Sequence, residues 1–185
     1  WHQIRAVLES GPKTVLEVGM GNGLVSEYLK KQGVAVTTLD IDANLKPDVL
    51  GSATSIPLPD ASADCVLAAE ILEHLPFKDL GIALAELRRV SKGAVIISVP
   101  DSRHTLFYLG LKLPFLGRRD FFIKKQSSKE HVFDGQHYWE MGKRGYSYAI
   151  IEKIFLDSGF KIKNHFVPFD CPTKHFFVLE KNESR

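Results

Sequence analysis

The sequence predicts a doubly wound α/β fold: a mostly parallel sheet covered by helices on both faces and closed by an antiparallel C-terminal hairpin. Three observations lead there. Short apolar, β-branched runs alternate with segments of helical period through the first hundred residues. Three glycines at every second position, Gly19, Gly21 and Gly23, join the first apolar run to the first helical pattern. Two final strand-like runs, residues 160–167 and 175–181, are separated by too short a stretch to hold a crossover helix.

The elements follow in order. Residues 15–18 read as a short buried strand, and residues 24–31 as a helix with Leu24, Tyr28 and Leu29 on one face. Residues 34–39 are rich in β-branched side chains and end at Asp40. Residues 49–50 form a brief strand after Pro47, and residues 65–69 a strand ending at Glu70. Leu80, Leu84 and Leu87 set a helix over 80–90, with Gly93 beyond it. Residues 94–99 form a strand that Pro100 stops. Ser147 is placed to cap a helix whose face carries Ile150, Ile151, Ile154 and Phe155, and Gly159 suits its end.

Residues 101–145 break the alternation. They mix glycine, proline, paired aromatics and both signs of charge, without a clear period. In a single domain spanning 1–185, such a stretch is expected to be an inserted lid and acceptor segment. Residues 105–122, "TLFYLGLKLPFLGRRDFF", are read as a lid helix over the site. The competing reading is a surface for an apolar or anionic acceptor, or for peripheral membrane contact. Arg118 and Arg119 would hold a phosphate or carboxylate there.

Composition bounds the rest. Of 185 residues, 44% are apolar and 25% charged, ordinary for one globular domain. No apolar run approaches a membrane span, and no secretory signal is visible. The chain opens on Trp1 rather than Met, which leaves room for a natural N-terminal extension. Cys65 lies in an apolar run and Cys171 precedes Pro172, so two unpaired thiols in a reducing cytoplasm are expected. The net charge is +2, yet residues 102–130 hold seven basic residues against two acids. That segment contains no recognisable nucleic-acid-reading module, so no nucleic acid partner is expected.

The glycine loop poses a chemical question. A strand–glycine turn–helix junction is where doubly wound, Rossmann-like folds bind nucleotides. A dinucleotide fingerprint needs its third glycine one residue later, where this chain has Leu24. Glu17, just before the loop, would repel a pyrophosphate and attract a cation. Asp40, ending the next strand, is placed to accept hydrogen bonds from a ribose diol. Adenosine-like hydroxyls at one end and positive charge near the loop describe S-adenosylmethionine.

The motifs then carry a family resemblance. "VLEVGMGNG" resembles the first motif of class I S-adenosylmethionine-dependent methyltransferases, and "VTTLDID" resembles their ribose-binding motif. "GSATSIPLPDASADCVLAAEILEHL" looks like the third and fourth motifs of the type-11 group, which includes quinone-biosynthesis methyltransferases. "ALAELRRVSKGAVIISVP" is similar to the helix and fifth strand that follow. The resemblance is dense over residues 13–100 and rests on element order over 146–181.

The resemblance implies roles for particular residues. Glu17 and the backbone of Gly19, Met20 and Gly21 would hold the methionine part. Asp40 would hold the ribose, with Asp42 as its competitor, and Ile41 would pack on the adenine. Ser52 stands where the family usually offers an acid to the adenine amino group, and Ala53 and Thr54 would line the adenine edge. Glu70 would face the methionine part or else cap the helical turn after it. His74 would sit on the acceptor side, and His74 and His137 are the candidate catalytic bases, with His131 as a further one.

The same residues bear on other functions. A nicotinamide-dependent oxidoreductase conflicts with the early third glycine and Glu17. A non-catalytic methyltransferase-like partner subunit would keep the fold without the chemistry. His131, Asp134 and His137 share a three-residue spacing that could hold a metal, but a polar lid loop gives the same pattern, so no metal is expected. The expected activity is methyl transfer to a small-molecule acceptor, with S-adenosylmethionine as cofactor.

Overall fold

The computed structural model describes residues 1–115 and 117–182. Its centre is a seven-stranded sheet in the order β3-β2-β1-β4-β5-β9-β8. The strands are β1 Thr14–Val18, β2 Ala35–Asp40, β3 Val49–Leu50, β4 Ala63–Ala69, β5 Ser91–Pro100, β8 Phe160–Phe166 and β9 Lys174–Lys181. The first five strands run parallel, and β9 enters antiparallel to both β5 and β8. The fold is therefore Rossmann-like and doubly wound, with the antiparallel C-terminal pair the sequence anticipates.

Alternation along the strands feeds two cores. Leu16 and Val18 of β1, Val66 and Ala68 of β4, and Val95 and Ile97 of β5 face one side. Val15, Cys65, Leu67 and Ile96 face the other. Both sets are almost fully buried, the signature of a sheet covered on both faces. Helices α1 (His2–Ser10) and α2 (Leu24–Lys31) cover the second face. Helices α3 (Leu80–Val90) and α4 (Tyr148–Asp157) cover the first. In α3 the buried positions Leu80, Ala83, Leu84, Leu87 and Val90 form one stripe. Ser147 caps α4 as its sequence suggests, its hydroxyl accepting from Ile150 N at 3.3 Å. Helix α1, with Ile4, Ala6 and Val7 buried, is an element the sequence reading did not include.

The 101–145 stretch is more ordered than its sequence suggests. Where a lid helix was expected, β6 (His104–Leu113) and β7 (Gly117–Lys125) pair as a separate antiparallel hairpin. Its apolar side chains point to both faces, so neither a 2.0 nor a 3.6 period emerges from the sequence. The Arg118 and Arg119 side chains, expected to hold an anion, lie outside the described part. Beyond the hairpin, Trp139 and Met141 are fully buried in the larger core, and the Trp139 indole donates to Leu72 O at 3.1 Å.

The hairpin is tied down at its base. Asp101 is buried and accepts from Arg103 Nη2 at 2.7 Å and from Lys124 Nζ at 2.8 Å, one cation from each side of the arm. Burial pushes the Asp101 carboxyl up, but Arg103, His175 and Lys124 outweigh it and hold it below the usual carboxylate range.

Candidate functional site

Strand order reverses between β1 and β4, so the loops leaving their carboxyl ends diverge and open a crevice. The glycine loop lies there. Gly19, Gly21 and Gly23 have φ of 79°, 51° and 75°, all left-handed. That explains their every-second-residue spacing: the chain alternates through a conformation other residues resist. Gly19 N donates to Leu39 O at 2.7 Å, pinning the loop to β2. A Cβ on Gly21 would meet nothing within 4 Å, so the backbone there is bare to an approaching ligand.

Asp40 stands beside this loop. Its carboxylate accepts from Met20 N and from Asp42 N, each at 3.0 Å, which fixes its direction. Two acceptances leave further lone pairs on the same carboxylate. Asp42 is committed elsewhere: its Oδ1 takes the amide and side-chain nitrogens of Asn44. Ile41 follows Asp40 and is 76% exposed, an apolar surface with no protein cover. Just after β3, on the same side as Asp40, Ala53 is buried, while the Ser52 hydroxyl meets Thr54 Oγ1 at 2.9 Å. Ser52 is thus already engaged in its own turn.

Glu17 is buried on β1, and its Oε2 has no hydrogen-bond partner. Burial pushes its carboxyl up to about 7, against the lowering pull of Ser26 and Lys30. Glu70 directly follows β4 with φ of 56°, a strained angle for a residue with a side chain. It caps no helix. Its carboxylate is gripped instead by Ser98 Oγ at 2.7 Å and Lys174 Nζ at 2.6 Å. Neither Ser98 nor Lys174 was singled out in the sequence. Lys174 comes from the antiparallel strand β9, and nothing local marks it.

The two candidate bases meet. The His74 and His137 rings lie edge to face, 4.9 Å between centroids. His74 Nδ1 donates to Gln136 O at 3.1 Å, since a carbonyl can only accept. His137 Nδ1 lies 3.2 Å from Glu140 Oε1. Tyr138 N donates to Glu73 O at 2.8 Å, so the turn after β4 and residues 136–139 are stitched together. His131 is turned differently, its Nε2 donating to His137 O. Next to His74 lies Glu73, fully buried, with neither carboxylate oxygen partnered. Burial, aided by repulsion from Glu70, pushes it up to about 8. Glu73 escaped the sequence reading because "LEH" does not reveal which of its residues turns inward.

A wide cleft of about 900 Å³ lies elsewhere, among α1, β7, and the residues joining β8 to β9. None of the glycine-loop residues lines it.

Comparison with known proteins agrees with this geometry. Residues 16–98 match the family described as a methyltransferase domain. A ubiquinone biosynthesis O-methyltransferase of Paramagnetospirillum magneticum is 37% identical over 90 residues, covering 40% of this chain and 36% of that protein. The chain thus spans about a third of the curated relative it matches. In fold, a methyltransferase from Mesorhizobium loti superposes with a TM-score of 0.67 at 16% identity, covering 98% of this chain and 97% of its own. The 1,6-didemethyltoxoflavin-N1-methyltransferase of Burkholderia thailandensis, solved with S-adenosylhomocysteine, gives 0.63 at 16% identity, covering 97% and 75%. The segment that matches in sequence is the one that builds the glycine loop, Asp40 and the turn at Glu70, and the whole chain matches in topology. Residues 16–98 are thus similar in sequence to the methyltransferase-domain family, and the chain shares the fold of S-adenosylmethionine-dependent methyltransferases.

Proposed function

We propose that this chain binds S-adenosylmethionine at the glycine loop and catalyses transfer of its methyl group to a small-molecule acceptor. The observation that carries this is the pairing of bare backbone at Gly21 with the oriented Asp40 carboxylate one strand away. Glu17, with an unpartnered buried oxygen just before the loop, fits a ligand bearing positive charge better than a pyrophosphate. The residues present therefore fit the cofactor. Asp40 would take the ribose hydroxyls, Ile41 and Ala53 would flank the adenine, and the backbone from Gly19 to Gly21 would carry the methionine part. When bound, the sulfonium supplies a methyl group already activated for in-line displacement.

The protein's own contribution is alignment and exclusion of water. His74 and His137 would take the proton of an oxygen or nitrogen acceptor, a reading supported by hydrogen bonds at each Nδ1 that leave Nε2 with the lone pair. Phe133 and Tyr138, with rings 4.6 Å apart, support an apolar acceptor beside them. The exposed face of the β6–β7 arm supports peripheral contact with a membrane edge. Among the described residues no helix is long and apolar enough to cross a membrane. The two free thiols, Cys65 and Cys171, fit a reducing cytoplasm.

Calorimetric titration with S-adenosylmethionine, S-adenosylhomocysteine and NAD tests the reading. Binding of the first two and not of NAD is expected, with Asp40→Ala weakening it by about 1–3 kcal/mol. NAD binding in place of S-adenosylmethionine would overturn it.

A further inference from the structure

We propose that Glu73, His74 and His137 form a binding site for one divalent transition-metal ion of the zinc type. One donor atom from each of the three lies within 4.8 Å of the others. A closed coordination sphere places ligand atoms roughly 3–3.5 Å apart around bonds of about 2 Å, inside that bound. Small side-chain movements reach that spacing, because His74 is exposed and His137 only half-buried.

Three independent features point to a cation. First, Glu73 is completely buried, and both of its carboxylate oxygens lack any hydrogen-bond partner. Buried polar atoms almost always find partners, so two orphaned oxygens on one side chain call for a missing group. Second, both imidazoles are already oriented as metal ligands are. His74 Nδ1 donates to a backbone carbonyl and His137 Nδ1 to the Glu140 carboxylate, leaving each Nε2 lone pair unspent. A carbonyl or carboxylate behind a ligating histidine is the usual second layer of such sites, fixing tautomer and ring direction. Third, Glu140 is itself held by Ser102 and lies near Lys143, so that second layer is anchored in turn.

Two imidazoles and one carboxylate suit zinc and its first-row neighbours better than magnesium or calcium, which favour all-oxygen sets. Three protein donors leave a coordination position open for water or for an oxygen of a bound molecule. The sequence spacing suggests a different trio, His131, Asp134 and His137. The fold breaks that set by giving His131 Nε2 to a carbonyl and the Asp134 carboxylate to the amides of Gln136 and His137. Metal binding is separate from cofactor binding, since neither the glycine loop nor Asp40 takes part, but with zinc bound the Nε2 lone pairs of His74 and His137 are given to the metal rather than to an acceptor's proton.

The test is metal content. The full chain is stripped with a chelator, dialysed against micromolar zinc chloride and measured by mass spectrometry, with thermal melting alongside. About one zinc per chain is expected, with a melting temperature that rises on loading. His74→Ala and His137→Ala should each weaken zinc binding by about 10–100-fold, as should Glu73→Gln. If Glu73→Gln does not fold, the two histidine variants decide, since both side chains reach the surface. Asp134→Ala should bind zinc normally. Failure of the wild-type chain to retain zinc would overturn the proposal. So would undiminished binding in both histidine variants, or loss of binding in Asp134→Ala with Glu73→Gln unaffected.

Discussion

The side chain of Ile71 closes over Gly19, so that a Cβ built on Gly19 would lie 1.9 Å from Ile71 Cδ1. Gly21, two residues on, has open space where a Cβ would stand. The two glycines are needed for different reasons, and substitution separates them. Gly19→Ala should cost about 2–3 kcal/mol of stability, combining the left-handed backbone with the collision. Gly21→Val should cost only about 1–2 kcal/mol while abolishing S-adenosylmethionine binding, because its side chain fills space left for the ligand. Chemical denaturation and calorimetry on both variants check this; equal loss of stability with retained binding at Gly21 would contradict it.

Asp101 should be the most sensitive position for the hairpin. Asp101→Ala leaves Arg103 and the nearly buried Lys124 without their common anion. Removing one partner of a buried ion cluster typically costs about 3–5 kcal/mol. Hydrogen exchange should then rise through 104–125 before it rises in the central sheet, and uniform exchange across the chain would argue against this anchor.

Glu17 sets a pH dependence. Its folded pKa is raised from 4.5 to about 7, so the folded state holds the proton more tightly than the unfolded chain. This contribution to stability is fully present below the unfolded value and is lost as pH rises through 7, with an upper limit of about 3 kcal/mol. Glu17→Gln keeps the neutral shape and should flatten that fall. Denaturant titrations between pH 5 and pH 8 measure it, and identical slopes for the two proteins would refute the assignment.

The outward face of the arm carries Phe107, Leu109, Phe121 and Ile123, paired Phe107 with Ile123 and Leu109 with Phe121. Phe107 and Phe121 are each more than half exposed. The other face, through Tyr108 and Phe122, packs on Phe169. If the arm touches membranes, Phe107→Ser with Phe121→Ser should reduce co-sedimentation with anionic vesicles severalfold while changing stability by about 1 kcal/mol or less. Unchanged sedimentation would exclude this face as the contact.

The sequence alone determined the α/β alternation, the strand ends at Asp40 and just before Glu70, the capped helix after Ser147 and the final antiparallel pair. Each rests on local signals: apolar period, cap residues, and glycines whose spacing matches alternate left-handed positions in the loop. The glycine loop was legible for the same reason, since its chemistry is written in consecutive residues. The hairpin at 104–125 was not, because apolar residues on both of its faces erase the period, and its register appears only in the cross-strand pairing. Nor could the sequence show that Lys174, 104 residues away, grips Glu70. The burial of Glu73 and the meeting of His74 with His137 were equally hidden. Those depend on Leu72 O and Glu73 O receiving donors from residues 138 and 139, contacts made only once the chain has returned across the sheet. Local propensity places elements along a chain, but which buried carboxylate faces which imidazole is decided by packing between segments far apart in sequence.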